Sequence, residues 1–217
     1  MTLKRLIFTA LFFATAFTSC NGQKNGSQSK SSANKEKAMS SSTALDSTGQ
    51  LMKEDDFWKL IDKSRAAANN NYQGQVGSLK NILLTLDAKE IEKFDNTFTK
   101  LLAASYDWKL WGASYVINGG CSDDCFDYFR QYLIGHGKDK FYQTLKDPES
   151  CVTWIKSEEE DNWEGLQYSA MNAYKQKTGK DLPKSYQPKF ELKGKAFDEE
   201  TVDKQYPKLA KKFMGDH

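Results

Sequence analysis

The chain has 217 residues, 39% of them hydrophobic and 13% aromatic, with a mean hydropathy of −0.71. That is enough apolar material for one packed domain with further segments attached. Six of the 31 basic residues and two of the 29 acidic ones fall in residues 1–52, leaving 25 basic against 27 acidic residues from Lys53 onward. The body of the chain therefore lacks the single-sign field that steers polyanions, and no nucleic-acid partner is expected.

Residues 1–19 read as an export signal. Lys4 and Arg5 form a positive start, Leu6 to Phe17 an apolar run, and Thr18 and Ser19 are small residues before Cys20. The run is shorter than the ~20 residues a bilayer span needs. Phe17-Thr18-Ser19-Cys20 resembles a bacterial lipobox, with Phe where Leu is usual, as in the relaxed form of that motif. The resemblance implies a lipidated Cys20 as the mature N-terminus and a lipid anchor in the membrane. It further implies a place in the cell envelope, on the periplasmic side or at the outer membrane. A plain signal peptide with an incidental cysteine is the alternative. Residues 20–52 then read as the lipidated cysteine and a tether. Ser, Asn, Gln, Gly and Lys dominate it, and such a composition cannot bury enough apolar surface to offset its ordering entropy.

Residues 53–217 read as one all-α domain of about eight helices. Lys53 to Ala68 carries Phe57, Leu60, Ile61 and Ser64 on one face, with Glu54, Asp55 and Asp56 in its first turn, where the helix dipole favours acids. Asn69 to Asn71 and Gly74 break it. Val76, Leu79, Leu83 and Leu86 stripe a second helix. Asp87 to Glu90 forms an Asp-started capping box for a third, striped by Ile91, Phe94, Phe98, Leu101 and Leu102 and running as far as Trp108.

Trp111 to Ile117 continues helically until Asn118-Gly119-Gly120, where glycine permits left-handed backbone. Ser122 is a natural N-cap, with Asp123 and Asp124 in the first turn and Cys125, Phe126, Phe129 and Leu133 on the buried side. Gly135-His136-Gly137 closes that helix. Phe141, Tyr142 and Leu145 mark a short one before Asp147-Pro148, a cap followed by proline at the first helical position. Glu158 to Asp161 begins another, striped by Trp163, Leu166, Ala170 and Tyr174 and ended by Gly179. Leu182 to Gly194, with two prolines, reads as a loop. Asp198 caps a last helix striped by Val202, Tyr206, Leu209 and Phe213, kinked or broken at Pro207.

Several stretches resemble the bacterial domain-of-unknown-function family DUF4240. They are Asp55-Asp56-Phe57-Trp58-Lys59-Leu60-Ile61-Asp62, the run from Trp111 to Asp124, Phe126 to Arg130, Leu133-Ile134-Gly135 and the late Tyr206-Pro207-Lys208-Leu209. The resemblance implies a helical domain with its motif at Trp111–Arg130 and brings no activity with it. An exported, tethered form departs from the cytoplasmic form associated with the family.

The corner at Asn118–Gly120 supplies the candidate ligand-binding residues: Trp111, Tyr115, Asn118, Ser122, Asp123, Asp127 and Arg130. Asp123 and Asp127 lie four apart on one helix face, where two carboxylates suit a cation or acid–base work. Asp127 and Arg130, three apart, suit a pair. The structural alternative is equally concrete: dipole-favoured acids, an ordinary surface pair and glycines that serve a turn. Acids clustered at this helix start repel phosphate.

Cys121, Cys125 and Cys151 allow one intramolecular disulfide. Cys121–Cys151 is the expected pair, since Cys125 falls inside the helix after Cys121; three reduced, buried thiols fit as well. No zinc site is expected from C-x3-C without a nearby His, and His136 reads as part of a helix end. No phosphate loop, dinucleotide fingerprint, zincin motif or nucleophile elbow is present. No cofactor or metal is expected. These features favour a membrane-tethered helical module that binds a protein or small molecule at the bacterial envelope. The alternative is an enzyme with an Asp/Arg-lined site at the Gly-Gly corner.

Overall fold

The computed structural model describes residues 49–156 and 164–215, and these are all-α. In chain order the helices are α1 (Glu54–Ala67), α2 (Tyr72–Leu83), α3 (Ala88–Ala104), α4 (Trp108–Asn118), α5 (Asp123–Gly135) and α6 (Lys138–Lys146). A 3-10 helix (Pro148–Thr153) follows, then α7 (Tyr168–Thr178), α8 (Val202–Gln205) and α9 (Pro207–Phe213). There is no strand among the described residues. A single isolated parallel bridge joins Asp107 to Lys193. Cys20, the acidic run Glu158–Asp161, Trp163 and His217 lie outside the described residues. Within them, no helix is long and apolar enough to cross a membrane.

Local chemistry explains most boundaries. Asp87 caps α3 by accepting from the Glu90 amide at 2.8 Å, and Ser122 caps α5 by accepting from the Cys125 amide at 3.2 Å. Asp147 accepts from the Glu149 amide and opens the 3-10 turn, with Pro148 at its first position. Gly119 and Gly179 end α4 and α7 with φ of 62° and 71°. The last helical stretch breaks at Tyr206, and Pro207 starts α9. Asp198 caps only a turn, accepting from the Glu200 amide.

Three boundaries differ from the sequence expectation. Asn69 and Asn70 make the turn after α1 with positive φ, so Asn71 caps α2 and Gly74 lies inside that helix rather than breaking it. The early start places Gln75 in the core, where its side-chain amide donates to the Gly135 carbonyl at 2.9 Å and the Ser64 hydroxyl at 3.1 Å. Helix α3 stops at Ala104 instead of reaching Trp108, because Asp107 caps a separate α4 by accepting from the Lys109 amide. Helix α7 starts at Tyr168, after turns at 164–167.

Helix α5 is central and packs against α1, α2, α3, α4 and α6. Phe126, Phe129, Tyr132, Leu133 and Ile134 are buried along it. Phe57 of α1 stacks on Phe94 of α3 at 4.7 Å between ring centroids, beside Phe98. Helix α7 covers α2 and α3, while α9 covers α4. Gly112 permits the latter: a Cβ there would stand 3.0 Å from the Tyr206 ring.

Candidate functional site

The seven corner residues do not converge on one site. The Trp111 indole is stacked between Trp108 and Phe126, at 5.1 and 4.9 Å, and its Nε1 donates to the Cys121 carbonyl at 2.9 Å. Tyr115 donates its hydroxyl to Glu199. The Asn118 amide donates to the Gly120 carbonyl and meets the Cys125 sulfur at 3.5 Å. Ser122 and Asp123 stand exposed at the start of α5.

Asp127 and Arg130 face elsewhere, and they pair as expected. One guanidinium nitrogen of Arg130 lies 2.7 Å from Asp127 Oδ1, while another donates to the Leu102 carbonyl at 2.7 Å. The guanidinium also lies 4.9 Å from the ring centres of both Tyr106 and Phe126. The Gln131 amide takes the second Asp127 oxygen at 2.7 Å, and its carbonyl oxygen accepts from the Gln167 amide at the start of α7.

The disulfide is Cys121–Cys125, not Cys121–Cys151. Cys121 stands just before the N-cap, so the chain doubles back and brings the two Cα atoms to 5.3 Å, within bridging distance. Cys151 is free and buried; its thiol donates to the Pro148 carbonyl, and burial pushes it up to about 12. It is too rarely a thiolate to act as a nucleophile. The His136 ring is tucked against Tyr132 and Trp154, and burial lowers it to about 4, so it is neutral near pH 7.

Asp127 instead lines a cavity of about 430 Å³ bounded by α3, α5, the start of α7 and the 182–190 segment. Leu102, Met171, Leu182, Tyr186, Pro188 and Phe190 give it an apolar and aromatic wall. Met171 and Phe190 are each nearly half exposed. The loop is held by the Asn96 side chain, which donates to Ser185 Oγ at 3.0 Å and to the Gln50 carbonyl at 2.9 Å. Asp95 also lines the cavity, and its Oδ1 is buried with no hydrogen-bond partner among the described residues. Burial raises this carboxyl from 3.8 to about 6, and the field of Lys184 on the rim opposes the rise.

A larger cavity of about 590 Å³ lies between α1 and the α5–α6 turn. Several of its charges are paired: Arg65 with Asp62 and with the His136 carbonyl, and Lys138 with Asp55. The groove lined by Asp95 combines an apolar wall with an acceptor that has no partner among the described residues. Asp95 is not among the residues that the corner pattern suggests, though the sequence carries a signal for it. Ile91, Asp95, Phe98 and Leu102 are spaced four, three and four residues apart, which sets a carboxylate in the apolar stripe of α3.

Residues 52–176 match the family described as "Protein of unknown function (DUF4240)". The chain belongs to the DUF4240 family. No curated protein and no solved structure matches it. The DUF4240 match holds α1 through most of α7, and so includes Asp95, Asp127, Gln167 and Met171. It ends before the 182–190 wall of the groove and before Tyr206–Leu209.

Proposed function

We propose that the protein is a membrane-tethered binding module of the bacterial envelope, with the groove between α3, α5, α7 and the 182–190 segment as its ligand site. The lipobox-like Phe17-Thr18-Ser19-Cys20 and the polar residues after it support the tether. The unmet Asp95 oxygen beside an apolar wall carries the binding reading. A buried acceptor without a partner is destabilising by ~1–3 kcal/mol, and a ligand donor relieves that. The volume falls within the range of small-molecule pockets.

Two measurements test this. Mass spectrometry of the full chain isolated from membranes should find residues 1–19 removed and acyl chains on Cys20; an intact Met1 contradicts the tether. A screen of small amphiphilic compounds, read by the Met171 methyl NMR signal of the full chain in detergent, should shift that signal with at least one compound class. A silent Met171 across the screen contradicts the groove.

A second reading, an enzyme, draws on one observation: Asp95 titrates near neutrality in the cavity that Asp127 also lines. It transfers the acid–base role from the Gly-Gly corner to the groove, because Arg130 is spent on packing and on the Leu102 carbonyl. Turnover of a substrate by the full chain, abolished by Asp95→Asn, would replace the binding reading with this one.

A further inference from the structure

The polar groups of the groove are not equally free. Both Asp127 oxygens are taken, by Arg130 and Gln131. The Gln131 carbonyl oxygen is taken by the Gln167 amide, and the Asn96 amide by Ser185 and Gln50. Among the charged groups lining the groove, the Asp95 carboxylate on α3 is the one with a buried oxygen that has no hydrogen-bond partner among the described residues; the polar side chains of Thr99, Gln167, Tyr186 and Gln187 line the cavity beside it. Lys184 sits on the rim and acts on it only through its field. A group that fills this vacancy must donate a hydrogen bond and is favoured if it carries positive charge, because charge-assisted bonds are about twice as strong as neutral ones. The rest of such a ligand meets Leu102, Met171, Leu182, Tyr186, Pro188 and Phe190. Those surfaces reward an apolar body.

Building on the binding reading above, we infer that the groove takes an organic ammonium: a primary amine, in its charged form, carried on an apolar or aromatic body and seated on Asp95. The apolar body distinguishes this ligand from a simple cation, and the ammonium distinguishes it from a lipid tail. The same chemistry is offered by a free amine and by a lysine side chain, and the probes separate the two.

The test is isothermal titration of the full chain in detergent with phenethylammonium, its neutral analogue 2-phenylethanol, methylammonium, and a capped lysine amide. Phenethylammonium should bind at least about tenfold more tightly than the alcohol, the value of one charge-assisted bond. It should also exceed methylammonium, which lacks the apolar body. Capped lysine amide binding as well as phenethylammonium assigns the source to a lysine side chain; weaker binding assigns it to a free amine. Asp95→Asn keeps the shape and should abolish the preference for ammonium over alcohol. Lys184→Gln, which removes a competing cation, should strengthen ammonium binding.

Equal affinity for the alcohol and the ammonium overturns the inference, as does an Asp95→Asn variant that still prefers the ammonium. Failure of all four probes to bind overturns it too. The groove itself fails as a ligand site only if Met171 is also silent in the wider screen, so the two failures are distinguishable.

Discussion

The Gly-Gly corner and the α3–α7 groove use similar residues to opposite ends. At the corner, aromatic rings stack on one another, a disulfide closes the turn, and the Trp111 indole has its partner; Arg130, one face of α5 away, is as fully engaged. In the groove, two large apolar side chains are left half exposed and a carboxylate oxygen is left unmet. Dense sequence motif here marks architecture. Vacancy marks the candidate site, and vacancy is a property of the assembled fold.

The contrast predicts opposite signs for substitutions in the two regions. Arg130→Ala removes the 2.7 Å donor to the Leu102 carbonyl, leaving only Ser105 Oγ at 3.1 Å, frees Asp127 Oδ1 and leaves a void against Tyr106 and Phe126. It should destabilise by about 2–4 kcal/mol, a melting temperature lower by roughly 5–15 °C in calorimetry. A neutral result would mean that the Arg130 contacts between α5 and α3 do not hold the fold as described.

Asp95→Asn should instead stabilise. The folded carboxyl titrates at about 6 against 3.8 for the ordinary group, so the folded state binds the extra proton between those values. Wild-type stability from this group is therefore full below about pH 4, falls as pH rises to about 6 and stays reduced above. The gain in the variant should be on the order of 1–3 kcal/mol at pH 7 and vanish near pH 4. Denaturant melts at the two pH values check it, and equal gains at both would sever the link between burial and charge.

Smaller effects sharpen the corner further. Reducing Cys121–Cys125 closes no large loop, so its loss should lower stability by about 2 kcal/mol, read from melts with and without dithiothreitol. Gly119→Ala meets no steric obstacle but must adopt φ of 62°, and should destabilise by only about 1 kcal/mol in the same assay.

Much of the fold could be read from local chemistry. Asp87, Ser122, Asp147, Gly119, Gly179 and Pro207 each act on their own neighbours, so their effects are visible in a short window. The differences arise where irregular backbone between two helices decides. Gly74 stays helical because Asn69 and Asn70 take the turn with positive φ and Asn71 then caps α2 by accepting from the Gly74 amide. Cys121 pairs with Cys125 because the chain doubles back before the Ser122 cap. The candidate site was the least legible part. Its walls come from α3, α5, α7 and the 182–190 segment, and no single stretch carries it. Asp127 was identified and Asp95 was not, since a lone acid in an apolar stripe looks like the helix's solvent edge until its missing partner is known.

The central claim is that Asp95 is a desolvated, unpaired carboxyl waiting for a cation. The charged groups that share its cavity are Asp127 on α5 and Lys184 on the rim, and the field of Lys184 acts on it. Carboxyl carbon NMR of the full chain follows its titration directly. The account predicts a midpoint near 6 in the free protein, falling when phenethylammonium is added. A midpoint near 3.8 that the amine does not move would contradict it.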